Sequence, residues 1–206
     1  MKRSCGTGET GRPAALSVSP RMESRRRKLL DVIPAHGFLG EDPGKIRAGR
    51  KVRHTRRKVG MDITWVTDRI AVGGGIWNAE NMAAVSRAGI THIIDMQIEF
   101  DDTPLAAPHG IAVCWNPVDD DFAPKPPEVF ARGVGFALAA LEGNESRLFV
   151  HCAAGVHRAP MMTLALLGVL GWTLEDGMDL IEARRPAADF AEVYVRSVER
   201  FLSGRS

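Results

Sequence analysis

The chain has 206 residues, room for one or two domains at about 100–200 residues each. Its 45% apolar and 25% charged composition is that of a protein burying a real core, which excludes collagen-like and wholly disordered classes. The net charge of +2 hides two unlike parts: residues 1–60 carry 16 Lys/Arg against 5 Asp/Glu, and residues 61–206 carry 11 against 20.

Cys5, Cys114 and Cys152 are too few and too scattered for a disulfide framework or a Cys-x-x-Cys zinc pair. A reducing, cytoplasmic location is the expectation. The uncharged run from Ala159 to Leu174 covers 16 residues, short of the roughly 20 that cross a bilayer, so it predicts a buried helix. Met1 to Leu30 lacks the continuous apolar stretch of a secretory signal.

Residues 1–60 hold basic runs at Arg25–Lys28 and from Arg50 to Lys58 among many Gly, Pro and Ser. With so little apolar surface to bury they predict a disordered extension. Four meanings stay open: a solvated tail, a tether to nucleic acid or a membrane surface, a transit peptide, or sequence ahead of a start at Met61.

From residue 62 the pattern changes. Ile63–Val66 and Arg69–Val72 read as short strands around an Asp68 turn, and Gly73-Gly74-Gly75 reads as a plain turn, since it is not a Gly-x-Gly-x-x-Gly nucleotide loop. Asn78 predicts a helix cap, with Met82, Val85 and Ala88 on one stripe and Gly89 as the stop. Residues 90–96 and 111–115 predict strands. A helix follows over about 127–141, opened by proline, then an apolar strand at 147–151 and helices near 159–170, 174–184 and 189–202. Strands alternating with helices predict an α/β domain with a mainly parallel central sheet flanked by helices.

The chemistry gathers in Leu148-Phe149-Val150-His151-Cys152-Ala153-Ala154-Gly155-Val156-His157-Arg158-Ala159-Pro160. A Cys ends a buried strand, and an Arg six positions later opens an apolar helix. Such a strand–loop–helix turn aims backbone N–H groups and the positive end of the helix dipole into one concavity, a setting for a tetrahedral oxyanion. Gly155 supplies the backbone freedom, and the Arg158 fork can take two phosphate oxygens. The same field favours a thiolate at Cys152 and makes it a nucleophile. His151, just outside the loop, is expected to orient it by hydrogen bonding. His92 and His109 have no ligand-spaced partners, so neither a metal nor a cofactor is expected. Cys114 reads as a small core residue.

His151-Cys152-x-x-Gly155-x-x-Arg158 resembles the signature of cysteine-dependent protein phosphatases, specifically the compact dual-specificity branch. The resemblance runs over about residues 62–203. It takes in Ile70-Ala71-Val72-Gly73, Gly89-Ile90-Thr91-His92-Ile93-Ile94 and Arg184-Arg185-Pro186, and divides the chain into an extension (1–60) and a phosphatase-like domain (61–206).

It implies phosphomonoester hydrolysis through a phosphocysteine, with Cys152 and Arg158 catalytic, Ala153, Ala154, Gly155, Val156, His157 and Arg158 forming the phosphate loop, and a loop Asp as general acid. Among Asp119, Asp120 and Asp121, Asp120 lies 32 residues before Cys152 and 10 before Phe130, the spacing that relatives show.

The family usually has Ser or Thr after the Arg. Here Ala159 and Pro160 follow, which implies slower hydrolysis of the intermediate or a phosphate-binding module with little turnover. An Arg-Ala-Pro ending also resembles the plant starch-dephosphorylating members, so a phosphoglucan substrate stays open beside a phosphoprotein. The loop lacks the Lys residues of phosphoinositide-directed relatives, which argues against inositol lipids.

Overall fold

A computed structural model describes residues 60–205. The expected disordered extension falls, but for Gly60, outside these described residues. Five strands form one sheet: β1 (Ile63–Trp65), β2 (Ile70–Gly73), β3 (His92–Asp95), β4 (Ala112–Trp115) and β5 (Leu148–His151). Their spatial order is β1-β2-β5-β3-β4. β1 and β2 are an antiparallel hairpin, and every other pairing is parallel. β5 therefore lies in the middle, flanked by β2 and β3, and its carboxyl end opens at the edge where open α/β sheets place their ligand sites.

Strand alternation sorts the side chains into two cores. Ile70 and Val72, Ile94, Leu148 and Val150 face one side and pack with the apolar faces of α3 (Pro127–Leu141), α4 (Arg158–Val169), α5 (Leu174–Arg184) and α6 (Glu192–Ser203). Ala71, Ile93 and Phe149 face the other side, against Met82 and Val85 of α1 (Ala79–Arg87) and against Ala106. Arg158 to Leu167, the first ten residues of α4, are all buried, which is why its sequence is apolar on most sides and lacks a polar stripe.

Local chemistry sets the element ends. Asn78 caps α1, its side chain accepting from the Asn81 N–H at 2.8 Å, and Thr173 caps α5 by accepting from Asp176 N–H at 3.0 Å. Gly89 (φ 78°) turns the chain out of α1 as expected.

Two features depart from the sequence reading. Residues 103–109 form a short helix α2 (Thr103–Ala106) and a 3-10 turn (Ala107–His109), too brief and too proline-broken to show a period. Gly73-Gly74-Gly75 is more than a turn. A Cβ on Gly73 would collide with the Asp62 carbonyl, and the Gly75 N–H donates to Ala153 O at 3.0 Å, so the run lets backbone press against the loop after β5.

Leu166→Ala should lower the unfolding free energy by about 2–5 kcal/mol, the usual cost of a large-to-small change at a fully buried position. Urea denaturation of both forms measures it.

Candidate active site

The turn between β5 and α4 is shaped by where its carbonyls go. Ala153 O accepts from Gly75 N–H at 3.0 Å, and Val156 O from Asp189 N–H at 2.9 Å. Gly155 O and Ala154 O accept from Arg185 Nε (2.7 Å) and Nη2 (3.3 Å). Arg185 is itself gripped by Asp62, Nη1 to Oδ1 at 2.8 Å and Nη2 to Oδ2 at 2.6 Å. That hydrogen bonding holds the Asp62 carboxyl below its ordinary range.

Peptide planes are trans and flat, so pinning the carbonyls of residues 153–156 outward turns the N–H groups of residues 154–157 to the opposite side. One of these has a visible partner: Gly155 N–H donates to Cys152 Sγ at 3.2 Å. Gly155 is at φ 67°, and a Cβ there would run into Gly73 O at 2.5 Å, so glycine is required for both conformation and space.

The expected residues are brought together. Cys152 is 1% exposed at the floor, and Arg158, 3% exposed, stands at the first turn of α4. The guanidinium meets Glu99 in a bidentate pair (Nη1–Oε2 3.0 Å, Nη2–Oε1 2.9 Å) and donates to Val118 O at 3.0 Å. Burial works against the charge on Arg158, but the Glu99 hydrogen bonds, with the Cys152 sulfur and Asp120 beside it, raise its proton affinity overall. Glu99 is held below the ordinary carboxylate range by the same hydrogen bonds. It had no signal in the sequence, because nothing local marks a carboxylate 59 residues from its partner.

Of the three loop aspartates, Asp120 is the one whose carboxylate turns to the site. Its Oδ2 is 3.8 Å from Arg158 Nε and 3.1 Å from His157 Nδ1, and its Oδ1 accepts from Tyr194 OH at 3.0 Å. Asp121 turns away, accepting from Ala123 N–H and pairing with Lys125. Asp119 is exposed. Ala159 is buried, its carbonyl accepting from Thr163 OH at 2.9 Å. Cys114 is half-buried, and burial pushes its thiol up, in keeping with a core role.

The model of the dual specificity phosphatase catalytic domain matches residues 75–201, more than half of the chain. The chain belongs to this family. Human protein tyrosine phosphatase type IVA 3 is 32% identical over 106 residues, half of this chain and 60% of that protein. The Arabidopsis thaliana protein-tyrosine-phosphatase IBR5 is 29% identical over 68 residues, 32% of this chain and 26% of its own length. The chain thus spans less than two thirds of the length of the curated relatives it matches.

Among solved structures, PTPMT1 in complex with PI(5)P superposes with a TM-score of 0.62 at 17% identity, over 69% of this chain and 96% of that one. Human DUSP28 gives 0.58 at 20% identity, over 71% and 96%. Both show the α/β fold of dual-specificity phosphatases.

Behind the loop of this dual-specificity phosphatase domain lies a polar core that sequence reading only half anticipated. His151 stands in register with Asp95 across β3 and β5, so the two side chains share a face. Its Nε2 is 2.9 Å from Asp102 Oδ2 and 3.7 Å from Asp95 Oδ1, and all three residues are fully buried. Asp95 accepts from the N–H groups of Gln97 (2.9 Å) and Asp102 (3.2 Å).

Among the described residues, this trio is a set of metal-type donors lying within 4.8 Å of one another. The Asp95 oxygens, though, already bind backbone N–H groups, which suits a support that fixes the His151 ring. His151 was expected to orient the loop by hydrogen bonding; its Nε2 instead faces the two buried carboxylates behind the loop.

Two predictions come from these contacts. Burial raises the Asp95 carboxyl from 3.8 to about 6. Its folded value lies above its unfolded one, so the contribution it makes is complete below about pH 4 and is lost as pH rises to about 6. Relative to Asp95→Asn, the wild type should lose roughly 3 kcal/mol of stability across that window and little above it, read by urea unfolding at pH 4, 5, 6 and 7. Glu99→Gln should release the Arg158 fork and tighten vanadate inhibition by about two- to fivefold, the scale of a half-exposed ion pair, measured as the inhibition constant.

Proposed function

We propose that residues 61–206 form an active, metal-independent phosphomonoester hydrolase acting on phosphorylated protein by double displacement, with residues 1–60 lying outside the catalytic unit. Cys152 attacks phosphorus and the P–O bond to the leaving group breaks, giving the phosphocysteine typical of the family. The N–H groups of the 153–157 loop and the Arg158 guanidinium hold the equatorial oxygens, and Arg158 leaves Glu99 to do so. Asp120 gives its proton to the departing oxygen, then takes one from the water that breaks the S–P bond. His151 keeps its place behind Cys152 through Asp102 and Asp95.

The observation that carries this reading is the meeting of three groups from three separate elements. The Cys152 sulfur faces the Gly155 N–H at 3.2 Å, while the Asp120 carboxylate stands 3.8 Å from the guanidinium that opens α4. A nucleophile, an anion cradle and a proton donor thus border one small space.

Phosphoprotein is favoured as substrate by the tyrosine phosphatases among the relatives and by the absence of lysine from the loop positions between Cys152 and Arg158. A cytoplasmic setting accords with the few, scattered cysteines of the sequence. No described helix is long and apolar enough to cross a membrane.

Hydrolysis of an aryl phosphate in EDTA tests the proposal. The wild type should turn over and be inhibited by vanadate, and Cys152→Ser should abolish activity. Asp120→Ala should cut turnover by about 10²–10⁴-fold. Vanadate binding without hydrolysis would instead make the chain a phosphate-binding module. Phosphotyrosine peptide, phosphothreonine peptide and phosphoglucan, compared side by side, rank the substrates.

A further inference from the structure

Two buried side chains of α6 hold the loop that follows β4. Tyr194 and Ser197 lie three positions apart, neighbours on one helix face, and both are 1% exposed. The Tyr194 hydroxyl donates to Asp120 Oδ1 at 3.0 Å and accepts from Phe122 N–H at 3.0 Å. The Ser197 hydroxyl accepts from Lys125 N–H at 3.1 Å and donates to Val193 O at 2.7 Å. Helix α6 thus pins this loop at both ends.

Packing follows the same two pins. The Phe122 ring stacks on the Tyr194 ring at 5.7 Å, and the Lys125 ammonium lies 5.3 Å from the centre of that ring. Phe122 is at φ 55°, a costly conformation for a bulky residue. It is also 54% exposed, so what the turn gains is the bond to Tyr194 and the stacked ring, not a place in the core. Pro124, Pro126 and Pro127 bracket Lys125 and fix φ on both sides of the second pin.

A carboxyl group delivers a proton only within hydrogen-bond reach of the departing oxygen. A loop side chain left free would sample several rotamers, and the Tyr194 bond removes that freedom. Oδ1 accepts the hydroxyl hydrogen whether the group is a carboxylate or a carboxylic acid. Oδ2 is thereby left turned to the guanidinium, 3.8 Å from Arg158 Nε. Burial and the bond to Asp120 push the Tyr194 hydroxyl up to about 12, so it remains a donor.

We propose that α6 is the clamp that sets the general-acid loop, with Tyr194 a positioning residue that aims the Asp120 carboxyl at the phosphate cradle and Ser197 the second pin. The inference rests on Asp120 being the acid of the proposed reaction. Tyr194 touches neither substrate nor reacting atoms and acts through Asp120 alone.

The test compares Tyr194→Phe with wild type on phenyl phosphate, whose leaving group needs an acid, and on 2,4-dinitrophenyl phosphate, whose leaving group does not. Phenylalanine keeps the ring under Phe122 and removes only the hydroxyl. In kcat/KM the loss on phenyl phosphate should be about 10- to 100-fold, the scale of a misplaced catalytic group, and should exceed the loss on the dinitrophenyl ester by about tenfold. In a double-mutant cycle the losses of Tyr194→Phe and Asp120→Asn on phenyl phosphate should not multiply. Ser197→Ala should show the same selectivity for the poorer leaving group with a loss of about two- to tenfold, the scale of one neutral hydrogen bond. Urea unfolding checks that each variant folds, and if Tyr194→Phe does not, Ser197→Ala decides by the same comparison of esters. Equal losses on the two esters, or losses that multiply with Asp120→Asn, would overturn the clamp and leave Asp120 as the acid. Full phenyl phosphate activity in Asp120→Asn alone would remove the acid assignment, and this inference with it.

Discussion

Peptide planarity in the turn after β5 is the constraint on which the candidate site depends. Four consecutive carbonyls are held outward by Gly75, Arg185 and the backbone of Asp189, and the intervening N–H groups have only the interior left to face. The cradle is thus made by the contacts outside it. Arg185 is central because its guanidinium satisfies two loop carbonyls while Asp62 and Thr64 hold it from behind. A fork of fixed geometry does this better than a flexible ammonium. The glycines follow from close approach of backbones, since a side chain on Gly155 would run into Gly73 and one on Gly73 into Asp62.

Inside the cradle the balance of charge is close. Arg158 is almost completely buried, and a buried cation is tolerated only when paired. Glu99 supplies the pair, with Val118 O as a further acceptor. In the proposed reaction a phosphate dianion carries more charge than a carboxylate and has the loop N–H groups behind it, so its exchange with Glu99 would keep the guanidinium paired. Glu99 is 41% exposed at its side chain and can move into water when displaced, where its charge is well solvated.

Polar groups occupy two further layers. Beneath the loop, Asp95, Asp102 and His151 are sealed from solvent. Above it, Asp120, His157 and Asp189 meet near the surface, with the hydroxyl of the buried Tyr194 beneath Asp120. The lower layer carries the cost of burying carboxylates and holds one ring fixed beside Cys152. In the upper layer His157, Asp120 and Asp189 are each partly open to water. One histidine borders each layer, His151 at the end of β5 below and His157 in the loop above, and the two imidazoles differ in burial.

The order of the main elements, the parallel character of the sheet, the helix cap at Asn78 and the strand–loop–helix setting of Cys152 and Arg158 were all legible in the sequence. Each is a local matter: strand alternation, a capping side chain, or a glycine and an arginine at a fixed short distance along the chain. Asp120 was singled out by a spacing to Cys152 and Phe130 that relatives share, and the structure turns it toward the guanidinium. What only the tertiary structure decided are partners far apart in sequence: Glu99 with Arg158, Asp62 with Arg185, Asp95 and Asp102 with His151, and Asp189 and Tyr194 around the Asp120–His157 pair. No periodicity or motif encodes those meetings, because they arise from the register of β3 beside β5 and from the way α6 packs over the loop after β4. Chain neighbours determined which groups exist at the site, and the closing of the sheet and helices determined which of them touch.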